Sequence, residues 1–151
     1  MLTDLDRRIL RYWRAEPSLA PAELAERAGV GASKAARRIT KMQEDGVIEG
    51  VTAVVDWPAL GYAVEVSLRV TLDKTQARAF DDFINAARDI PEVTEIQTFL
   101  GRVDVRLSVI ARDMRHYQDV YRSRILTLPH IADIESLMHV ARIKSDESLP
   151  I

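Results

Sequence analysis

The chain has no cysteine in its 151 residues. Disulfide stapling and thiol chemistry are excluded, and the usage fits a reducing compartment, so the expected location is the cytoplasm. Glycine is sparse, with six residues scattered along the chain, which leaves no glycine-rich loop to cradle a phosphate. The three histidines, His116, His130 and His139, stand far apart with no metal-ligand spacing. Serine and aspartate are common, but no nucleophile elbow is present. No apolar run is long enough to cross a bilayer, and MLTDLDRR lacks the apolar core of a signal peptide. Positive charge is not in excess either. The formal net charge is −2, with nine Lys/Arg against nine Asp/Glu over residues 1–61 and twelve against fourteen over 62–151. Any nucleic-acid binding must come from a local patch. The expectation is a protein with no cofactor, no metal and no enzymatic activity.

Such a patch is present between Pro21 and Gly50. Pro21 suits the first position of a helix, where its missing N–H is one the helix start leaves unpaired. Leu24, Ala25 and Ala28 follow at helical spacing, and Gly29 provides a left-handed stop. Val30 fills the turn, and a second helix begins near Gly31–Ser33. Its expected inner stripe is Ala35, Ala36, Ile39 and Met42. Lys34, Arg37, Arg38 and Lys41 recur at spacings of three and four and are assigned to its outward side. A short helix, a tight turn and a basic helix form a helix-turn-helix, whose second helix enters a major groove. Ser33, Lys34, Arg37, Arg38 and Lys41 are the candidate DNA contacts.

The flanking segments complete that head. Thr3 or Asp4 caps a first helix carrying Leu5, Ile9, Leu10 and Trp13, closed by Glu16-Pro17-Ser18. Asp45-Gly46 signals a turn, after which Val47–Ile48 and the β-branched Val51–Val55 are expected to pair as a two-stranded wing. Asp56-Trp57-Pro58 breaks the chain and opens a linker to Tyr62.

From Val64 the period changes to two. Val64, Val66, Leu68, Val70 and Leu72 alternate with polar residues through Asp73, the pattern of a strand with one apolar face. A helix is expected over Lys74–Asp89, a strand over Val93–Leu100, a turn at Gly101-Arg102 and a strand over Val103–Ala111. A helix capped by Asp113 and a final strand over Ile131–Lys144 follow. The order β-α-β-β-α-β is the ferredoxin-like arrangement, with two helices on one sheet face. The other face is left uncovered. With Phe99, Leu137 and Ile143 assigned to it, that face is expected to pair with a second copy of the chain.

The motifs together resemble the Lrp/AsnC, or feast/famine, family of transcription factors. The resemblance rests on LDRRIL (5–10), AELAERAGV (22–30), RRITKMQEDGVIEG (37–50), VVDWPALGY (54–62), GRVD (101–104) and the terminal SLPI (148–151). It implies an α+β chain: a winged helix-turn-helix DNA-binding domain over 1–55, a linker over 56–62, a ferredoxin-like ligand-binding and oligomerisation domain over 63–144, and a tail over 145–151. It implies double-stranded DNA and an amino-acid effector as partners, no membrane, and homodimers assembling to tetramers, octamers or larger. The family's effector loop reads Gly, an acid or amide, an aromatic, then Asp. Gly101 and Asp104 match it, while Arg102 and Val103 depart. Gly101, Arg102 and Asp104, with Leu137, Met138 and His139 on the last strand, are the residues the resemblance assigns to the effector. Two alternatives stay open. Sirohaem decarboxylases share the architecture, and His116, His139, Arg106 and Arg115 mimic their histidine and arginine usage. A DNA-organising protein without an effector would need only phosphate contacts and bending.

Overall fold

The computed structural model describes residues 2–143, so SLPI and the expected tail lie outside the described residues. The described chain divides into two compact units, residues 2–54 and Val55–Ile143.

The first unit is three helices: α1 (Asp4–Ala15), α2 (Pro21–Arg27) and α3 (Ala32–Glu44). Thr3 caps α1 in a capping box, its side chain meeting the Asp6 amide while the Asp6 carboxylate meets the Thr3 amide. Ile9, Leu10, Leu24, Ala25, Ala28, Ala35 and Met42 are buried together, with Trp13 and Ile39 packed against them. Gly29 closes α2 at φ 69°, a left-handed value glycine tolerates. Gly46, at φ 70°, likewise ends α3, and the Val47 and Ile48 amides both donate to the Met42 carbonyl, at 2.8 and 3.1 Å.

The expected wing does not form. Residues 47–56 contain no strand, and Val51 and Val54 are 70% and 99% exposed. β-Branched residues favour a strand only when a neighbouring strand accepts their backbone groups, and none does so among the described residues.

The second unit opens with a tight turn. Pro58–Leu60 form one turn of 3₁₀-helix, Gly61 takes φ 88°, and the rings of Trp57 and Tyr62 meet edge-on with centroids 6.4 Å apart. The sheet follows: β1 (Val64–Leu72), β2 (Val93–Thr98), β3 (Val105–Ala111) and β4 (Ile131–Met138), all antiparallel in the order β2-β3-β1-β4. Helices α4 (Ala79–Arg88) and α5 (Met114–Val120) lie on one face. Val66, Leu68, Val70, Val105, Leu107 and Val109 are buried there with Phe83, Ala87, Tyr117 and Val120. A short π-helical turn, Tyr121–Ile125, continues α5.

Three boundaries differ from the sequence reading. Helix α4 starts at Ala79 rather than Lys74, because the Asp73 carboxylate accepts from the Thr75 amide (3.0 Å) and hydroxyl (2.7 Å) and bends the chain into a turn first. The β2–β3 connection spans 99–104 rather than two residues, closed by the Phe99 amide on the Asp104 carbonyl at 2.9 Å. Strand β4 stops at Met138, opposite Val66 near the start of β1; one more bond follows, from the His139 amide to the Glu65 carbonyl at 3.0 Å, and residues 141–143 run past the start of β1.

The open sheet face also differs. Residues directly opposite in register share a face, which places Ser67, Arg69, Thr71, Glu95, Gln97, Arg106, Ser108, Asp133, Glu135 and Leu137 on it. It is a polar surface, laced by Arg106–Glu95 at 3.1 Å and Arg69–Glu135 at 3.6 Å. Of the three apolar residues assigned there, only Leu137 belongs. Phe99 and Ile143 lie beyond the ends of β2 and β4. The most exposed apolar side chains sit in connections and ends instead: Val54, Leu100, Val140 and Ile143, each above 90%.

Candidate nucleic-acid interface and effector loop

The head presents α3 as its basic element. Gly31 is the N-cap and offers no side-chain bond, so the first amides of α3 carry no side-chain cap. Ser33, Lys34, Arg37 and Lys41 are exposed along its outer side. The Lys41 ammonium bonds the Asp45 carboxylate at 2.7 Å, one turn on, which raises its affinity for its proton.

Arg38 breaks the pattern. Its Nε and Nη2 donate to the two oxygens of Asp6, at 2.7 and 2.6 Å. The expected inner stripe is therefore revised: Ala36 is exposed, and the row facing the other helices is Ala35, Arg38, Ile39 and Met42. Asp6 is 0% exposed, on the same stripe of α1 as Ile9 and Leu10. Arg38 beside it, together with the Thr3 hydrogen bonds, holds its carboxyl far below the usual carboxylate range despite burial. Sequence reasoning missed Asp6. The available signal was an acid and a cation, each standing at an inner position of its helix.

The effector-loop residues are not gathered into one place. Gly101 and Arg102 are exposed, and the Arg102 carbonyl accepts from the Thr71 hydroxyl at 3.2 Å. Asp104 is 3% exposed and occupied. One oxygen accepts from the Leu72 amide at 2.9 Å, and the other meets the Lys74 ammonium at 3.0 Å. Burial pushes its carboxyl up, but the Leu72 amide and Lys74 outweigh that and leave it lowered. Leu137 and Met138 oppose Ser67 and Val66. The His139 amide donates to the Glu65 carbonyl at 3.0 Å, and its ring lies 3.3 Å from the Glu65 carboxylate, which Arg142 also holds. Six residue steps along β1 lead from Glu65 to Thr71, about 20 Å at the rise of a strand. Within one chain, the loop and His139 stand at opposite ends of the sheet.

Comparison with known proteins accounts for both units. The model of the Lrp/AsnC ligand-binding domain matches residues 65–149, and that of a winged helix-turn-helix DNA-binding domain matches residues 2–49. The chain belongs to the Lrp/AsnC family. It is 32% identical to the proline dehydrogenase transcriptional activator of Rhodobacter capsulatus, over 97% of this chain and 98% of that protein. An AsnC family regulator from Agrobacterium tumefaciens superposes with a TM-score of 0.88 at 32% identity, over 99% of this chain and 97% of that one. A feast or famine regulatory protein of M. tuberculosis, solved with L-methionine, superposes at 0.86 with 27% identity, over 97% of each chain. A DNA-binding head joined to a ligand-binding domain makes this Lrp/AsnC protein an effector-responsive transcriptional regulator.

The histidines and arginines weighed for tetrapyrrole chemistry do not converge. His116 is on α5, where its ring accepts from the Arg112 amide at 3.1 Å and lies 3.6 Å from Glu92. Arg106 faces the opposite side of the sheet, toward Glu95. Among the described residues no cluster of three or more His, Asp or Glu side chains is placed to hold a metal, and no helix is long and apolar enough to cross a membrane.

Proposed function

We propose that the protein regulates transcription by laying α3 in the major groove of double-stranded DNA and has no enzymatic role. Ser33 and Lys34 lie at the start of the helix, nearest the base edges, and Arg37 and Lys41 follow one and two turns on. The observation that carries this reading is the exposed Ser33–Lys34–Arg37–Lys41 side of a well-packed second helix, in a chain whose overall charge is negative. The 1–55 and 63–144 boundaries are proposed for the DNA-binding and effector parts. The effector is proposed to be an amino acid at the Gly101–Asp104 loop, as the methionine-bound relative suggests.

Two features support homodimers or larger assemblies. The exposed Val51, Val54, Leu100, Val140 and Ile143 invite burial. The distance between the loop and His139 means that a pocket using both takes them from two copies. A dimer of heads also suits half-sites one helical turn, or a multiple, apart.

The test is fluorescence anisotropy on the gene's own upstream DNA against random DNA of equal length, over a salt series. Tighter binding to the upstream DNA that resists salt better than the control is expected. Equal, steeply salt-dependent binding to both would instead indicate a DNA organiser. Replacing Arg37 with alanine should cost about 1–3 kcal/mol of binding where it reads a base. Titration calorimetry with a panel of amino acids including methionine tests the effector; no heat with any of them would remove that part of the reading.

A further inference from the structure

Asp6 carries more bonds than a helix cap needs. Its buried carboxylate accepts from the Thr3 amide and the Thr3 hydroxyl, both at 2.7 Å, and from the Nε and Nη2 of Arg38. One side chain thus closes the capping box of α1 and grips the middle of α3. A guanidinium presents donors on two edges. The Nε–Nη2 edge is spent on Asp6, the Nη1 edge has no hydrogen-bond partner among the described residues, and 31% of the Arg38 side chain remains exposed. The other acid acting on Arg38 is Asp45, whose carboxylate is held by Lys41. Arg37 and Lys41, beside Arg38 in sequence and one turn along, line the outer side of the same helix. A fixed guanidinium loses less freedom on binding a phosphate than a mobile one.

We propose that Asp6 is a positioning residue for DNA binding, holding the Arg38 guanidinium so that its remaining edge donates to a backbone phosphate. This rests on α3 being the DNA-contacting helix, and it assigns a functional part to an acid with no reach to DNA of its own. The pair acts by placement: Asp6 sets both the rotation of α3 and the plane of the guanidinium.

The experiment compares the full chain with Asp6→Asn and with the double variant Asp6→Asn/Arg38→Met. Binding to the upstream DNA is followed over a salt series, at a temperature where the helical circular dichroism matches wild type. Both variants should bind at least about fivefold more weakly. The slope of log affinity against log salt should fall by about 0.9 for each bound head, the signature of one lost phosphate contact. The double variant removes both charges together, so no ion is left buried alone, and it decides the matter if the single variant fails to fold. Wild-type affinity and slope in the folded variants would overturn the proposal and leave the pair a purely structural strut. Failure of the wild-type chain itself to bind would overturn the reading of the head, and this inference with it.

Discussion

Among the described residues each unit of the chain buries one aspartate, and the two are built differently. Asp6 in the helical head is held by a forked, two-bond arginine contact and by the N-cap threonine. Asp104 in the sheet unit is held by one backbone amide and by a lysine that is itself 63% exposed. The first is a contact between two helices whose mutual placement depends on it. The second pins a loop to a strand that the sheet already fixes. Long-range charge therefore has more to carry in the head, where three short helices share a small core, than in the sheet, where seven registered pairs join β1 to β3 alone.

The comparison breaks most visibly on deletion of each acid. Asp6→Ala leaves a guanidinium without its partner and opens the cap, and should cost about 3 kcal/mol, read as an earlier loss of helical circular dichroism on heating. Asp104→Ala leaves the Leu72 amide unbonded while Lys74 stays in water. The expected cost is smaller, about 1–3 kcal/mol, with Asp104→Asn recovering part of it. Equal losses from both alanine variants would show that the arginine fork adds nothing to what a single amide supplies.

Acid sharpens the same contrast. Both carboxyls are lowered by folding, so each contributes stability that is complete above the unfolded value of about 3.9. Each contribution is lost as pH falls through the folded value. The pull on Asp6 is the stronger of the two, from Arg38 and both Thr3 bonds. Stability should be flat with respect to these groups from pH 7 to 5. Below pH 4, the Asp104 contribution should weaken first and the Asp6 contribution outlast it. Chemical shifts of the two carboxyl carbons across that range would check the order.

The same two sites mark what could be read in advance. Strand β1 was legible to the residue, because alternation from Val64 to Leu72 reports a half-buried strand directly. The helix-turn-helix was legible from Pro21 and Gly29, whose backbone preferences act locally. Arg38 was not. Spacing alone assigns a cation to the outside, and only the fold reveals the buried acid that makes an inner position tolerable. The wing failed for the converse reason: Val51–Val55 has strand-forming residues but no partner among the described residues. The end of β4 was missed because register belongs to a pair of strands, and β1 supplies no partner beyond its own start. At the effector loop the motif was visible, but the lysine and amide that occupy Asp104 come from 30 and 32 residues away.

Gly101 gives the smallest expected effect on the fold and the cleanest division between fold and function. Its φ of 158° falls within the positive range that L side chains rarely adopt, although a Cβ placed on it meets no atom within 4 Å. The backbone angle, not crowding, is what favours glycine there. Gly101→Ala should therefore cost about 1 kcal/mol through backbone strain, no more than the mildest loss expected from either aspartate deletion. If the loop closes on an amino acid or on a second copy, that methyl group fills space the contact needs. Calorimetric heat with the effector, or the assembly size in sedimentation, should then fall by more than the small strain-driven shift of the thermal transition explains. A large drop in the transition would mean the loop is already packed in the free chain. A slightly lowered transition with unchanged binding and assembly would mean that the ligand contact lies elsewhere on the sheet unit.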